Sequence, residues 1–222
     1  MPGWAAIASA PPRNGRYPAL GRRTAQLGLR QTVEAGVVRS LRSGRVATTA
    51  EIRPPGDDPL VLVALSSTFQ DQAALLRRVV AALATLPVRG LVTTGPSLDP
   101  GAVQGAPNVS VVASAPHRAV LREAALVVTH GGHGTLLKAL AADVPVVVLP
   151  HGRDQGDNAV RVTLRGAGVA LRRTASTDQV ARAVRRVLED PAYARRAAVL
   201  GAAVRHDAEH STLVAELEAV EG

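Results

Sequence analysis

Val127-Val128-Thr129-His130-Gly131-Gly132-His133-Gly134-Thr135-Leu136-Leu137-Lys138-Ala139-Leu140 is the stretch on which the fold turns. The apolar run over 126–128 reads as a buried strand, which breaks into a glycine-rich turn. The turn opens directly into a helix expected over about 134–142. Glycine has no Cβ, so such a turn lets bare backbone approach a ligand. The helix start behind it offers unpaired N–H groups and a positive dipole end to an anion, and phosphate is the anion this arrangement suits.

Outward from that turn, strand and helix alternate. Leu60-Val61-Leu62-Val63-Ala64-Leu65 is a continuous apolar strand, followed by Ser66-Ser67-Thr68 and a helix expected over 71–85. Further strands are expected over 88–92, 109–112, 144–149 and 169–171. A short helix from Pro116 precedes the central strand, and a helix over 157–165, stopped by Gly166 and Gly168, follows the fifth. Two helices close the chain, the first with Ser176 or Thr177 as its N-cap. Strands that are apolar throughout belong to a parallel sheet covered on both faces. Regular alternation makes it a doubly wound α/β domain, whose ligands bind beyond the carboxyl ends of the strands. Three polar loops converge there: 66–68, 129–135 and 150–158.

Composition limits the alternatives. Of 222 residues, 46% are apolar and 2% aromatic, so the core is aliphatic. With no cysteine, disulfides and thiolate metal sites are excluded. No apolar run approaches the ~20 residues of a membrane span, and no basic n-region marks a signal peptide, which makes a cytoplasmic location the expectation. The net charge of +8 is concentrated in residues 1–50, which hold eight arginines against one acid, Glu34. The rest is nearly neutral and shows no basic face for nucleic acid, leaving only the arm for such a role. The arm is rich in Gly, Pro, Arg and Ala without a helical or strand period. Residues 1–57 therefore read as a poorly structured arm and linker, and 58–222 as the folded domain.

The turn matches neither the dinucleotide fingerprint nor a Walker element, and there is no Gly-x-Ser-x-Gly elbow. The side chains of His130 and Thr135 can donate to an oxyanion. On these residues alone, a phosphate cradle and a tight turn needed only for packing are equally good readings. His130, His133 and His151 could suggest a metal, but His-x-x-His across a glycine turn, with no carboxylate or cysteine clustered nearby, is poor ligand geometry, so no metal is expected. Arg153-Asp154-Gln155-Gly156-Asp157-Asn158 suits hydroxyl binding, or an ordinary helix start capped near Gly156-Asp157.

Taken together, Thr129-His130-Gly131-Gly132-His133-Gly134-Thr135, the following strand, Leu149-Pro150, Asp154-Gln155 and Asn158-Ala159 resemble the C-terminal half of family 1 glycosyltransferases. The likeness is nearest to the bacterial enzymes that decorate macrolides and other natural products, and it spans roughly 58–222. It implies the Rossmann-like, donor-binding half of a GT-B inverting hexosyltransferase. By resemblance, His130, Gly132, His133, Gly134 and Thr135, with Ser67 and Thr68, would hold the diphosphate of a UDP- or dTDP-linked sugar. Asp154 and Gln155 would bind sugar hydroxyls, and Ala115, Pro116 and His117 the base, with no cofactor or metal. The family's general base, a histidine near the start of an acceptor domain, has no counterpart, because the first histidine here is His117. No catalytic residue is assigned. The chain thus reads as a truncated product, as one subunit of a split transferase whose acceptor half is a separate chain, or as a non-catalytic nucleotide-sugar-binding module.

Overall fold

The computed structural model describes residues 52–65, 72–152 and 154–210. The arm as far as residue 51, the Ser67 and Thr68 assigned to the diphosphate, and the last twelve residues lie outside them.

Six strands form one sheet, all parallel: β1 (Leu60–Ala64), β2 (Arg89–Thr93), β3 (Val109–Val112), β4 (Ala124–Thr129), β5 (Val146–Val148) and β6 (Gly168–Ala170). Their order is β3-β2-β1-β4-β5-β6. Helices α1 (Ala73–Ala84), α2 (His117–Leu121), α3 (His133–Ala141), α4 (Gln155–Leu164), α5 (Thr177–Glu189) and α6 (Pro191–Glu209) cover it. This is the Rossmann-like, doubly wound architecture expected from the continuous apolar strands.

Residue alternation along β1 decides what each face buries. Val61 and Val63 point into a layer with Leu76, Val79 and Leu83 of α1, Val180 and Val184 of α5, and Tyr193 at the start of α6. Leu60, Leu62 and Ala64 point into the opposite layer, with Val120 of α2, Leu136 and Leu140 of α3, Val162 of α4 and Ala197 of α6. Both faces are closed, which is why β1 shows no polar alternation. Part of the expected linker is drawn onto this body. Ile52 packs against the second layer, Arg53 pairs with Glu123, and the Asp58 carbonyl accepts from Arg89 Nε at 2.7 Å.

Several boundaries differ from the sequence expectation. α4 begins at Gln155 rather than near 157, because Gln155 Oε1 accepts from the loop amides of His151 and Gly152 at 2.7 and 3.2 Å. The cap region is therefore Asp154-Gln155, not Gly156-Asp157. β5 is confined to Val146–Val148, three residues within the expected 144–149. Pro145 has no N–H to give the ladder, although its carbonyl accepts from Val127 at 3.0 Å. α3 starts at His133, one residue earlier than expected.

Candidate functional site

The strand order reverses between β1 and β4, and the crevice beyond their carboxyl ends is the switch point of the sheet. The turn after β4 is built for close approach. Gly131 has φ +86°, and a Cβ there would lie 2.7 Å from Val148 Cγ1 and 3.2 Å from the Gln155 carbonyl. Its amide donates to the buried Thr129 Oγ1 at 3.3 Å, which fixes the start of the turn. A Cβ on Gly132 would overlap the His130 imidazole at Nε2. The second glycine therefore makes room for the histidine ring as well as exposing backbone.

Gly132 is also the N-cap of α3, with extended backbone and no side-chain cap. No acid lies in the first turn of α3. The helix thus points its first amides, around half-buried His133, Gly134 and Thr135, at the crevice, with no side-chain cap among the described residues. α5 differs: Ser176 and Gln179 close it in a capping box.

Three imidazoles border this mouth. Burial, then the neighbouring His151, lowers the His130 pKa to about 4, against opposing pulls from Asp154 and the Ala64 backbone. His130 Nδ1 is buried without a hydrogen-bond partner among the described residues. His151 is also lowered, chiefly by burial. Its Nδ1 lies 2.9 Å from the Leu149 carbonyl, so Nδ1 carries the hydrogen and Nε2 is a lone-pair acceptor, buried and without a hydrogen-bond partner among the described residues. His133 Nδ1 lies 3.5 Å from Asp154 Oδ2. The Asp154 carboxyl is held below its usual range, first by that contact and then, against burial, by Asn158. Among the described residues, no group of three or more His, Cys, Asp or Glu is placed to hold a metal.

The residues assigned to sugar hydroxyls occupy different settings. Asp154 is exposed at the mouth, whereas Gln155 is buried and its carbonyl oxygen is engaged by its own loop. Beside that loop opens a cavity of about 470 Å³, bordered by His151, Arg78, Arg173 and Ser176 among others. Arg78 braces its far wall, donating to the Arg173 and Ala175 carbonyls at 2.8 and 3.1 Å. Ala115, Pro116 and His117, half-buried, sit at the start of α2 beyond β3. His117 Nε2 lies 3.4 Å from Thr93 Oγ1, and burial, then Lys138, lowers its pKa to about 4.

Three site residues went unassigned in the sequence reading: Thr129, His151 and Asn158. Asn158 is buried at 1% exposure and ties the two loops together. Its Nδ2 donates to the Gly131 carbonyl and to Asp154 Oδ2, both at 3.0 Å. An amide four residues after an aspartate on a helix was the available signal.

An open parallel sheet with an uncapped, glycine-lined helix start at its switch point defines a Rossmann-like domain of the GT-B kind. The chain belongs to the family described as "Erythromycin biosynthesis protein CIII-like, C-terminal domain", which it matches over residues 77–220. It is 38% identical over 149 residues to oleandomycin glycosyltransferase of Streptomyces antibioticus, covering 65% of this chain and 34% of that protein. The crystal structure of CalG4, the calicheamicin glycosyltransferase, superposes with a TM-score of 0.64 at 32% identity, over 68% of this chain and 40% of the other. The spinosyn rhamnosyltransferase SpnG complexed with thymidine diphosphate gives 0.63 at 25% identity, over 74% and 45%. The chain spans about a third of the length of the curated relatives it matches. None of the described helices is long and apolar enough to cross a membrane.

Proposed function

We propose that this domain binds the nucleoside-diphosphate sugar of a glycosyl transfer in which a hexosyl group passes, with inversion, to a small-molecule acceptor. The observation that carries the reading is the uncapped start of α3, facing the switch point with Gly131 and Gly132 before it. A diphosphate seated there satisfies the first-turn amides, and the charge developing on the leaving diphosphate meets a fixed dipole and fixed N–H donors. His130, held neutral, serves as an N–H donor rather than as a cation. Thr135 adds a hydroxyl, and Ser67 and Thr68, which follow β1 in the sequence, are the further candidates for the diphosphate. The sugar extends towards Asp154 and the loop braced by Gln155, and the base lies along Ala115, Pro116 and His117. The spinosyn relative's complex with thymidine diphosphate supports a diphosphate ligand of this type. The charge complement comes from the helix and its donors, without a metal.

On this reading the acceptor and the general base belong to an acceptor-binding half, which a separate chain is able to supply. Calorimetry of the chain with UDP-glucose and dTDP-glucose tests the donor site. Saturable one-to-one binding of either is expected, and no binding of any nucleoside-diphosphate sugar sinks the proposal. Binding without transfer, even when an acceptor-binding half is supplied, would favour a non-catalytic binding module.

A further inference from the structure

The cavity beside the β5–α4 loop is walled by three separate elements. Its volume of about 470 Å³ falls within the roughly 300–1,000 Å³ of small-molecule sites. Leu75 and Arg78 reach it from α1, His151 from the β5–α4 loop, and Arg173, Thr174 and Ser176 from the β6–α5 loop. The β6–α5 loop is held by its main chain. Arg78 donates through Nη2 to the Arg173 carbonyl at 2.8 Å and through Nε to the Ala175 carbonyl at 3.1 Å. The Ala175 amide turns back onto the Arg172 carbonyl at 2.9 Å. This stretch of main chain is therefore fixed before any ligand arrives, which lowers the ordering cost of binding.

The wall is cationic. No acid is among the described residues that line it, and neither Asp154 at the mouth nor Asp178 in the first turn of α5 belongs to it. Arg78 spends those hydrogens on main-chain carbonyls. The exposed Arg173 guanidinium has no ion pair or side-chain hydrogen bond among the described residues. Burial, and with it the Arg173 charge, keeps His151 neutral against the pull of the Leu149 carbonyl. His151 in turn is near enough to depress His130, in the diphosphate cradle. The way from phosphate to cavity thus runs from His130 past His151 to Arg173, and a sugar on the outer phosphate lies within its reach. A neutral sugar laid on this wall would cover a guanidinium without pairing it. A carboxylate pairs it through two parallel N–H···O bonds. Ser176 Oγ accepts from Gln179 N at 3.3 Å, so its own hydrogen is left to donate to a sugar oxygen.

We infer that this cavity is a carboxylate-selective subsite for the transferred sugar, in which Arg173 pairs with the acid group of a hexuronic acid carried on the nucleoside diphosphate and Arg78 is the positioning residue. This rests on the donor-site reading above.

The test is calorimetry with two matched pairs, UDP-glucuronic acid against UDP-glucose and dTDP-glucuronic acid against dTDP-glucose. Within each pair only the sixth carbon of the sugar differs. The acid should bind about fivefold more tightly, the worth of a well-placed exposed ion pair, and the advantage should shrink as salt is raised. Arg173→Gln should abolish the advantage and leave affinity for the neutral sugar unchanged, because the altered side chain is exposed. Arg173→Lys should keep part of it, since the charge survives and the planar fork does not. Equal or weaker binding of the acids by the unaltered chain overturns the inference while leaving the donor site intact. Equal weakening of acid and neutral sugar in Arg173→Gln overturns it too, by placing the guanidinium on the diphosphate. Absence of binding by every nucleoside-diphosphate sugar sinks the donor-site reading, and the inference with it.

Discussion

At the scale of single residues, the site depends on what Gly132 leaves out. A Cβ there would strike the far end of the His130 ring rather than backbone, so the ring is able to swing away and the fold is able to persist. Gly132→Ala should therefore cost little stability and much affinity for a nucleoside-diphosphate sugar, measured by urea unfolding and calorimetry on the same preparation. His130→Ala should weaken the same binding by roughly 1–3 kcal/mol through loss of a buried donor. The histidines also set a pH dependence of stability. His117 and His130 are depressed to about 4, and His151 is depressed too, so the unfolded chain takes up protons below about 6.5 while the native chain resists. Their stabilising contribution is complete above that pH and is lost as pH falls towards 4. For His117 the loss between pH 7 and 4.5 is on the order of 2 kcal/mol. Urea midpoints across that range should fall, and His117→Gln should flatten part of the fall. His130 and the two glycines were legible in the sequence because a turn chemistry announces itself locally. The tie of Asn158 to the glycine turn was not, because its partner Gly131 is 27 residues away and only the fold joins them.

At the scale of elements, the helix starts at the carboxyl edge of the sheet divide by what satisfies them. α5 is closed by Ser176 Oγ, which accepts from Gln179 N at 3.3 Å, while Gln179 Oε1 accepts from Ser176 N at 2.8 Å. α3 has no such closure. Ser176→Ala should destabilise the domain by about 1 kcal/mol in urea, since the cap satisfies the first turn of α5. A glycine replaced by a capping residue has the opposite signature. Gly132→Ser should set a hydroxyl in competition with the ligand, and also displace His130, so that affinity falls whatever happens to stability. Strand identity was legible element by element, because strands buried on both faces carry unbroken Val and Leu. Boundaries were less so. α4 starts early because a glutamine side chain, not a conventional cap, satisfies the loop amides, and side-chain reach of that kind leaves no pattern in the sequence.

At the scale of the whole molecule, the two aliphatic layers and the crevice are coupled through β1 and β4. Val63 pairs with Val92 and Val128, while Ala64, next along, pairs with Thr129 at the lip of the turn. The core therefore holds the turn in register, and the doubly wound class followed from those strands alone, whereas the meeting of the β4 turn with the β5–α4 loop needed the sheet order. A ligand that bridges the two loops binds only the folded chain and must raise its apparent stability. At one hundred times the dissociation constant the gain is about 2.7 kcal/mol, or roughly 5–11 °C in Tm for a domain of this size. A thermal-shift series with UDP- and dTDP-sugars should show that rise in the unaltered chain. Gly132→Ala should melt near the unaltered chain's own Tm yet show no rise. An equal rise in that variant would mean that the stabilising ligand sits elsewhere, and the mouth of α3 would then be a packing turn and nothing more.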